Sequence, residues 1–208
     1  MGIASGNISY LRFFTAALPE GFEEPYCDLL ASHKFNEIDP RSELEESVGW
    51  VEFGDAFDCN YSPDTLVSNS GHILLRLRID KLKIPAVSLK AYVDQAARGR
   101  AAEAGRDKLT KREKDVLKLE VKNQLRMRSL PRMQLVEVVW NVSTGEVRVA
   151  STSKAIATTF VDKFEKTFSV QLNPVTLMTV LSLRGMSEAD VTALSLVEEE
   201  HFHLVRHG

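Results

Sequence analysis

Thr110-Lys-Arg-Glu-Lys-Asp-Val-Leu-Lys-Leu-Glu-Val-Lys-Asn-Gln-Leu-Arg-Met-Arg128 is followed by Pro131, then by Leu135-Val-Glu-Val-Val-Trp140, Ser143-Thr-Gly145 and Glu146-Val-Arg-Val149. Thr110 and Glu113 have the Thr-x-x-Glu spacing of a capping box, in which each side chain satisfies a backbone N–H at a helix start, so a helix begins here and runs to about Arg128. Pro131 stops it. The next fifteen residues, 135–149, alternate branched and polar types on either side of a turn over Ser143–Gly145, which predicts a β-hairpin. A long helix feeding a hairpin, with no strict strand–helix alternation, predicts an α+β fold with mixed or antiparallel sheets and two long basic helices in the middle of the chain.

Working outward, Pro85 to Ala104 reads as the first of those helices, ending near Gly105. His72 to Ile79 reads as a strand with Leu75, Leu77 and Ile79 on one face and Leu74, Arg76 and Arg78 on the other. Residues 36–71 read as mostly irregular, except for an apolar island, Val48-Gly49-Trp50-Val51, that inserts into the core. Further out, Ile8–Phe14 is expected as a strand and Pro25–Phe35 as a short helix. On the C-terminal side, Ala155–Phe168 is an amphipathic helix with Ile156, Phe160, Val161, Phe164 and Phe168 at helical spacing. A strand-like stretch over Val170–Val180 is broken by Pro174, and a last helix over Ser187–Leu196 is N-capped by Ser187. The expected organisation is one domain over residues 1–182, then a C-terminal helix and polar tail over 183–208.

The chain has 208 residues, 44% hydrophobic and 26% charged, which excludes disordered, collagen-like and low-complexity classes. Its net charge of −3 hides a strong asymmetry. Residues 1–71 carry 3 Lys and Arg against 13 Asp and Glu; residues 72–132 carry 17 against 7; residues 133–208 carry 6 against 9. A basic middle between acidic flanks points to a polyanion partner more than net charge does.

At about 100° per residue, Leu117, Val121 and Leu125 form an apolar stripe on the Thr110 helix, while Lys111, Lys114, Lys118, Lys122 and Arg126 form an adjacent basic one. Like charges four apart repel, and phosphates along a nucleic-acid backbone would offset them. Lys90, Arg98 and Arg100 on the preceding helix, Arg106 and Lys108 in the loop, Arg76 and Arg78 on the strand, then Lys81, Lys83 and Arg128, complete the candidate DNA-binding surface. Solvated surface, or pairing with the acidic first third, accounts for the same residues. Between residues 72 and 132 the only aromatic is Tyr92, so stacking platforms for single strands are scarce and backbone contact with a duplex is favoured.

Catalytic signals are weak. Pro63-Asp64 and Glu120-Val121-Lys122 imitate a Pro-Asp…Glu-x-Lys nuclease pattern, but Glu120 falls on a helix where that pattern needs a strand. His201, His203 and His207 gather near Glu198–Glu200 in the tail, where a solvated polar tail is the simpler reading. No P-loop, G-x-G-x-x-G or G-x-S-x-G is present, and no cofactor or metal is expected. Cys27 and Cys59 lack C-x-x-C spacing and read as reduced thiols. The first residues show neither a signal-peptide pattern nor, with Gly6 where Ser or Thr is required, a myristoylation pattern. No apolar run approaches ~20 residues, so no membrane span is expected.

Glu113-Lys114-Asp115-Val116-Leu117-Lys118-Leu119-Glu120-Val121, then Leu130-Pro131-Arg132, then Trp140 with Gly145 five on, resemble the RdgC family of bacterial recombination-associated proteins. Val48-Gly49-Trp50, Ile84-Pro85 and the Ala/Arg/Glu-rich helix after it extend the resemblance over roughly residues 1–180. The resemblance implies a non-sequence-specific, mainly double-stranded DNA-binding protein that restrains recombinase-driven strand exchange, and since no motif supports catalysis none is expected. It also implies a ring-shaped homodimer lined chiefly by Lys111, Lys114, Lys118, Lys122 and Arg126, in the cytoplasm and nucleoid-associated. Some members carry an exonuclease label. Longer members place an aromatic shortly after the Pro-Arg pair, where this chain has Met133-Gln134, and they continue beyond its last residue; DNA binding therefore transfers more directly than the closed ring. The alternatives are a module that docks an acidic protein partner and a metal-dependent exonuclease.

Overall fold

The computed structural model describes residues 9–15, 23–67, 71–176, 179–181 and 185–195. The elements run β1 (Leu11–Phe14), α1 (Glu23–Ser32), β2 (Glu46–Val51), α2 (Pro63–Leu66), β3 (His72–Lys81), α3 (Ala86–Glu103), α4 (Lys111–Arg128), β4 (Arg132–Asn141), β5 (Glu146–Val149), α5 (Lys154–Phe168), β6 (Asn173–Pro174) and α6 (Glu188–Ser195). The strands form one six-stranded sheet in the order β2-β3-β4-β5-β1-β6, and every strand pair is antiparallel. The α+β expectation holds, and of its two sheet options the antiparallel one is realised.

The sheet's inner face carries the main core. Period-2 alternation turns Ile73, Leu75, Leu77 and Ile79 of β3 and Val136, Val138 and Trp140 of β4 inward. α5 covers them with Phe160, Phe164 and Phe168 at four-residue spacing. The rings interlock with Trp140 and Trp50, with centroids 4.9 Å apart for Trp140–Phe164 and 4.7 Å for Phe164–Phe168. The one polar atom of Trp50 does not go unmet, since its indole N–H donates to Thr167 Oγ1 at 2.8 Å.

Two sequence expectations need correction. The island at 48–51 is the buried half of a true strand, β2, which pairs with β3 from Glu46↔Lys81 to Val51↔Arg76. Its first two residues, Glu46 and Ser47, are polar and not buried, which concealed the strand. Gly49 sits where a Cβ would run into the Phe35 backbone, because the chain after α1 bridges to Trp50 on this side. The stretch 170–180 yields only Asn173–Pro174, paired with Phe13 and Phe14. Pro174 lacks an N–H and is tolerated because β6 is an edge strand. Of the expected first strand, Ile8 lies outside the described residues, as do the tail from Leu196 onward and the proposed domain division at 182/183.

Helices α3 and α4 interrupt what would otherwise be a β3–β4 hairpin. The strands pair as far as Lys81↔Arg132, where the helical pair leaves the sheet. α3 ends at Gly105, whose φ of 62° is left-handed; the Arg106 N–H reaches Ala101 O at 2.8 Å and the Gly105 N–H reaches Ala102 O at 3.0 Å, closing a Schellman turn. α4 opens with the expected capping box between Thr110 and Glu113. The two helices hold each other through a small core of Ala101, Leu109, Leu117 and Val121 flanked by Leu89, Val93, Ala96, Ala97 and Leu125, which shares no residue with the sheet core.

Candidate nucleic-acid interface

The structure divides the predicted basic residues into two populations. The first is consumed inside the protein. Arg78 is 5% exposed and forks onto Asp80 at 2.6 and 3.0 Å, donates to Ala56 O at 3.1 Å, and lies between the Phe35 and Phe57 rings. Asp80 keeps the Arg78 guanidinium firmly charged. Arg76 pairs across strands with Glu137 at 3.0 Å and packs over Phe53. Both arginines do share a sheet face, as the alternation predicts, but residues 53–57 cover it, and neither can present a charge to DNA.

Arg126 is the second correction. It is 3% exposed and donates to the carbonyls of Pro40, Ser42 and Leu44 at 3.1, 2.8 and 2.7 Å, fixing the loop before β2 to the last turn of α4. One turn earlier, Lys122 pairs with Glu45 at 2.9 Å and holds its carboxyl below the ordinary range. The basic stripe of α4 therefore runs from solvent into the acidic N-terminal third. Pairing with that third is thus real for Lys122, and for Lys81, which meets Glu46 at 3.2 Å. Arg100 pairs with Glu120 at 3.0 Å and Arg106 with Glu113 at 2.7 Å, all four partly exposed. Arg106, with the Thr110 N–H and hydroxyl, draws the Glu113 carboxyl down to about 2.

The second population is open. Lys83, Lys90, Arg98, Lys108, Lys111, Lys114, Lys118 and Arg128 are exposed and have no ion pair among the described residues. Arg98, Lys108 and Lys114 line one depression of about 330 Å³ together with Asp94 and Asp107. Four-residue spacing extends that face along α3 to Lys90 and along α4 to Lys118. Lys108 in the loop between the helices and Lys111 at the start of α4 close it. Exposed Arg112 and Arg132 were not among the predicted residues. Arg112 lies off the stripe, and Arg132 opens β4, where its register with Lys81 brings it to the base of the helical pair.

Glu120 lies on α4 with Arg100 as partner, and Asp64 lies on α2, so the nuclease-like pattern does not assemble as strands would require. Among the described residues no three His, Cys, Asp or Glu side chains gather as metal ligands, and no helix is long and apolar enough to cross a membrane. Cys27 and Cys59 are free thiols, partly buried. The histidine tail lies outside the described residues.

An antiparallel six-stranded sheet that carries a projecting, cation-rich helical pair defines an α+β protein with a basic helical arm. A family model described as "Putative exonuclease, RdgC" matches residues 17–184. The chain belongs to the RdgC family, a recombination-associated DNA-binding family. No curated protein matches it.

Proposed function

We propose that this protein binds duplex DNA without regard to sequence, through the phosphate backbone, and thereby restrains recombination without cutting the DNA, as a cytoplasmic, nucleoid-associated competitor of a recombinase. The observation that carries this reading is the unpaired cationic face of the helical pair, Lys90, Arg98, Lys108, Lys111, Lys114 and Lys118, on a protein of net charge −3. Lys111, Lys114 and Lys118, spaced three and four apart on α4, repel one another, and an external polyanion relieves that repulsion. The acidic body keeps the rest of the surface away from the phosphates, which concentrates binding on the arm.

The partner set includes a second copy. Val116, Leu119 and Met127 are exposed apolar side chains on α4, and Leu130 is exposed just past its end. An exposed apolar strip of this kind suits packing against a second copy. Light scattering is expected to report a dimer that Leu119→Glu with Met127→Glu converts to monomer.

The decisive experiment is a salt-titrated duplex-binding assay on wild type and on Lys111→Glu/Lys114→Glu/Lys118→Glu. Affinity is expected to fall at least about tenfold for unrelated sequences alike, and the salt slope to flatten by roughly 0.9 for each phosphate that is no longer neutralised. Binding indifferent to both salt and the triple change overturns the reading. Trimming of end-labelled duplex with Mg²⁺ or Mn²⁺ that Glu120→Gln abolishes replaces it with the exonuclease alternative. Retention of an acidic protein but no duplex at low salt replaces it with the protein-docking one.

A further inference from the structure

The helical pair has a second groove, apart from the depression at Arg98, Lys108 and Lys114. It is open, about 490 Å³, and its floor is the apolar side of the helix–helix contact, including Val121 and Leu125. Around that floor stand Tyr92 and Gln95 from α3 and Gln124 and Arg128 from α4. The Tyr92 ring is about half exposed, and it is the one aromatic of the basic segment. Neither amide nor the Arg128 guanidinium has a hydrogen-bond partner among the described residues.

An aromatic face, two uncommitted primary amides and a free guanidinium around an apolar floor are complementary to a flat ligand. That ligand has a hydrogen-bonding edge and carries a negative charge. We infer that this groove seats an unpaired nucleotide, the base stacked on Tyr92 with its edge at Gln95 and Gln124, and its phosphate at Arg128. Glutamine amides donate and accept, so they match the Watson–Crick edge of any base. Inside a duplex that edge is already paired, so the groove takes a base only from a single-stranded end, gap or overhang. The seat rests on the DNA-binding reading, and it adds a structure preference to a surface that otherwise reads only charge. An acidic peptide would use Arg128 but leave both amides and the ring without purpose, which is why the nucleotide is favoured.

The test uses the full chain and two DNA probes of equal length, one a blunt duplex and one with a three-nucleotide overhang carrying 2-aminopurine. Wild type is expected to prefer the overhang and to change 2-aminopurine fluorescence on binding. Tyr92→Ala is expected to weaken overhang binding about tenfold, the scale of one base–aromatic stack, and to leave blunt-duplex binding within about twofold. Tyr92→Phe keeps the ring and is expected to keep the preference; Gln124→Ala reduces it with the helical content unchanged by circular dichroism. Equal affinity of wild type for both probes overturns the seat while leaving duplex binding intact. So does loss of both affinities to the same extent in a folded Tyr92→Ala protein. Fluorescence change on a single-stranded probe with no duplex affinity supports the seat and overturns the duplex reading instead. Binding of an acidic peptide that Arg128→Ala removes, with no 2-aminopurine response, overturns the seat in favour of a protein partner.

Discussion

The sheet body and the α3–α4 arm dispose of their cations differently, the strand arginines in ion pairs and most arm lysines in solvent. On the strands, Arg12, Arg76, Arg78 and Arg148 each meet a carboxylate, supplied by Glu146, Glu137 or Asp80. Pleated strands bring acids alongside or across from arginines, and the pairs close within the sheet. On the arm, Lys90, Lys108, Lys111, Lys114 and Lys118 face solvent with no such partner among the described residues. The cores differ in the same direction. The body is filled by Trp50, Trp140, Phe160, Phe164 and Phe168, whereas the arm is held by alanines, leucines and valines. A protein organised this way keeps its stability in one region and its unspent charge in another.

Truncating each core separates the two regions. Phe164→Ala removes a fully buried ring at the centre of the aromatic cluster and is expected to cost about 3–5 kcal/mol, lowering the denaturation midpoint of the whole body. Leu117→Ala is expected to cost about 2–4 kcal/mol, felt within residues 86–128, where amide exchange accelerates while the protection of β3 and β4 holds. Equal loss of protection in both regions after Leu117→Ala would show that arm and body unfold as one unit.

Arg126 is the seam between the regions, and its removal comes next in size. Arg126→Ala leaves the carbonyls of Pro40, Ser42 and Leu44 without their donors and is expected to cost about 2–4 kcal/mol in chemical denaturation. Arg126→Lys is expected to restore little, because one ammonium cannot reproduce a guanidinium serving three carbonyls from two nitrogens. Duplex affinity measured well below the new midpoint is expected to stay near wild type. A large drop in affinity in folded Arg126→Ala protein would return this residue to the DNA surface.

These contrasts explain what could be read from the residues alone. The Thr110–Glu113 cap, the Gly105 stop, the Pro131 break and the Phe160–Phe164–Phe168 face are local, and each formed where the spacing placed it. The helical wheel also placed Arg126 correctly on the edge of the basic stripe. A wheel gives an angle, however, and says nothing of the loop at 40–44 that comes from more than eighty residues away to cover it. Arg76 and Arg78 fail for the same reason: alternation set their face, while the cover supplied by 53–57 is tertiary. The groove at Tyr92 needed two helices side by side, since Gln95 and Gln124 carry no pattern on their own helices that marks them as neighbours.

The smallest effect sharpens the comparison at the tip of the arm, where one acid is spent on holding the fold. Glu113 accepts from the Thr110 N–H and hydroxyl, both at 2.8 Å, and from Arg106 at 2.7 Å, which places its carboxyl at about 2 against an ordinary 4.5. A folded value below the unfolded one means that the ionised form favours the folded arm. The contribution is therefore fully present above about 4.5 and is lost as pH falls through 4.5 toward 2. An NMR titration of the Glu113 carboxyl is expected to show a midpoint near 2, moving up toward 4.5 in Arg106→Ala, with amide exchange at residues 110–114 rising over the same interval. Because Thr110 still caps the helix in that variant, the shift isolates the arginine's share. A wild-type midpoint at 4.5 would mean that Arg106 is as free as the lysines beside it, and would add it to the cations available to a phosphate.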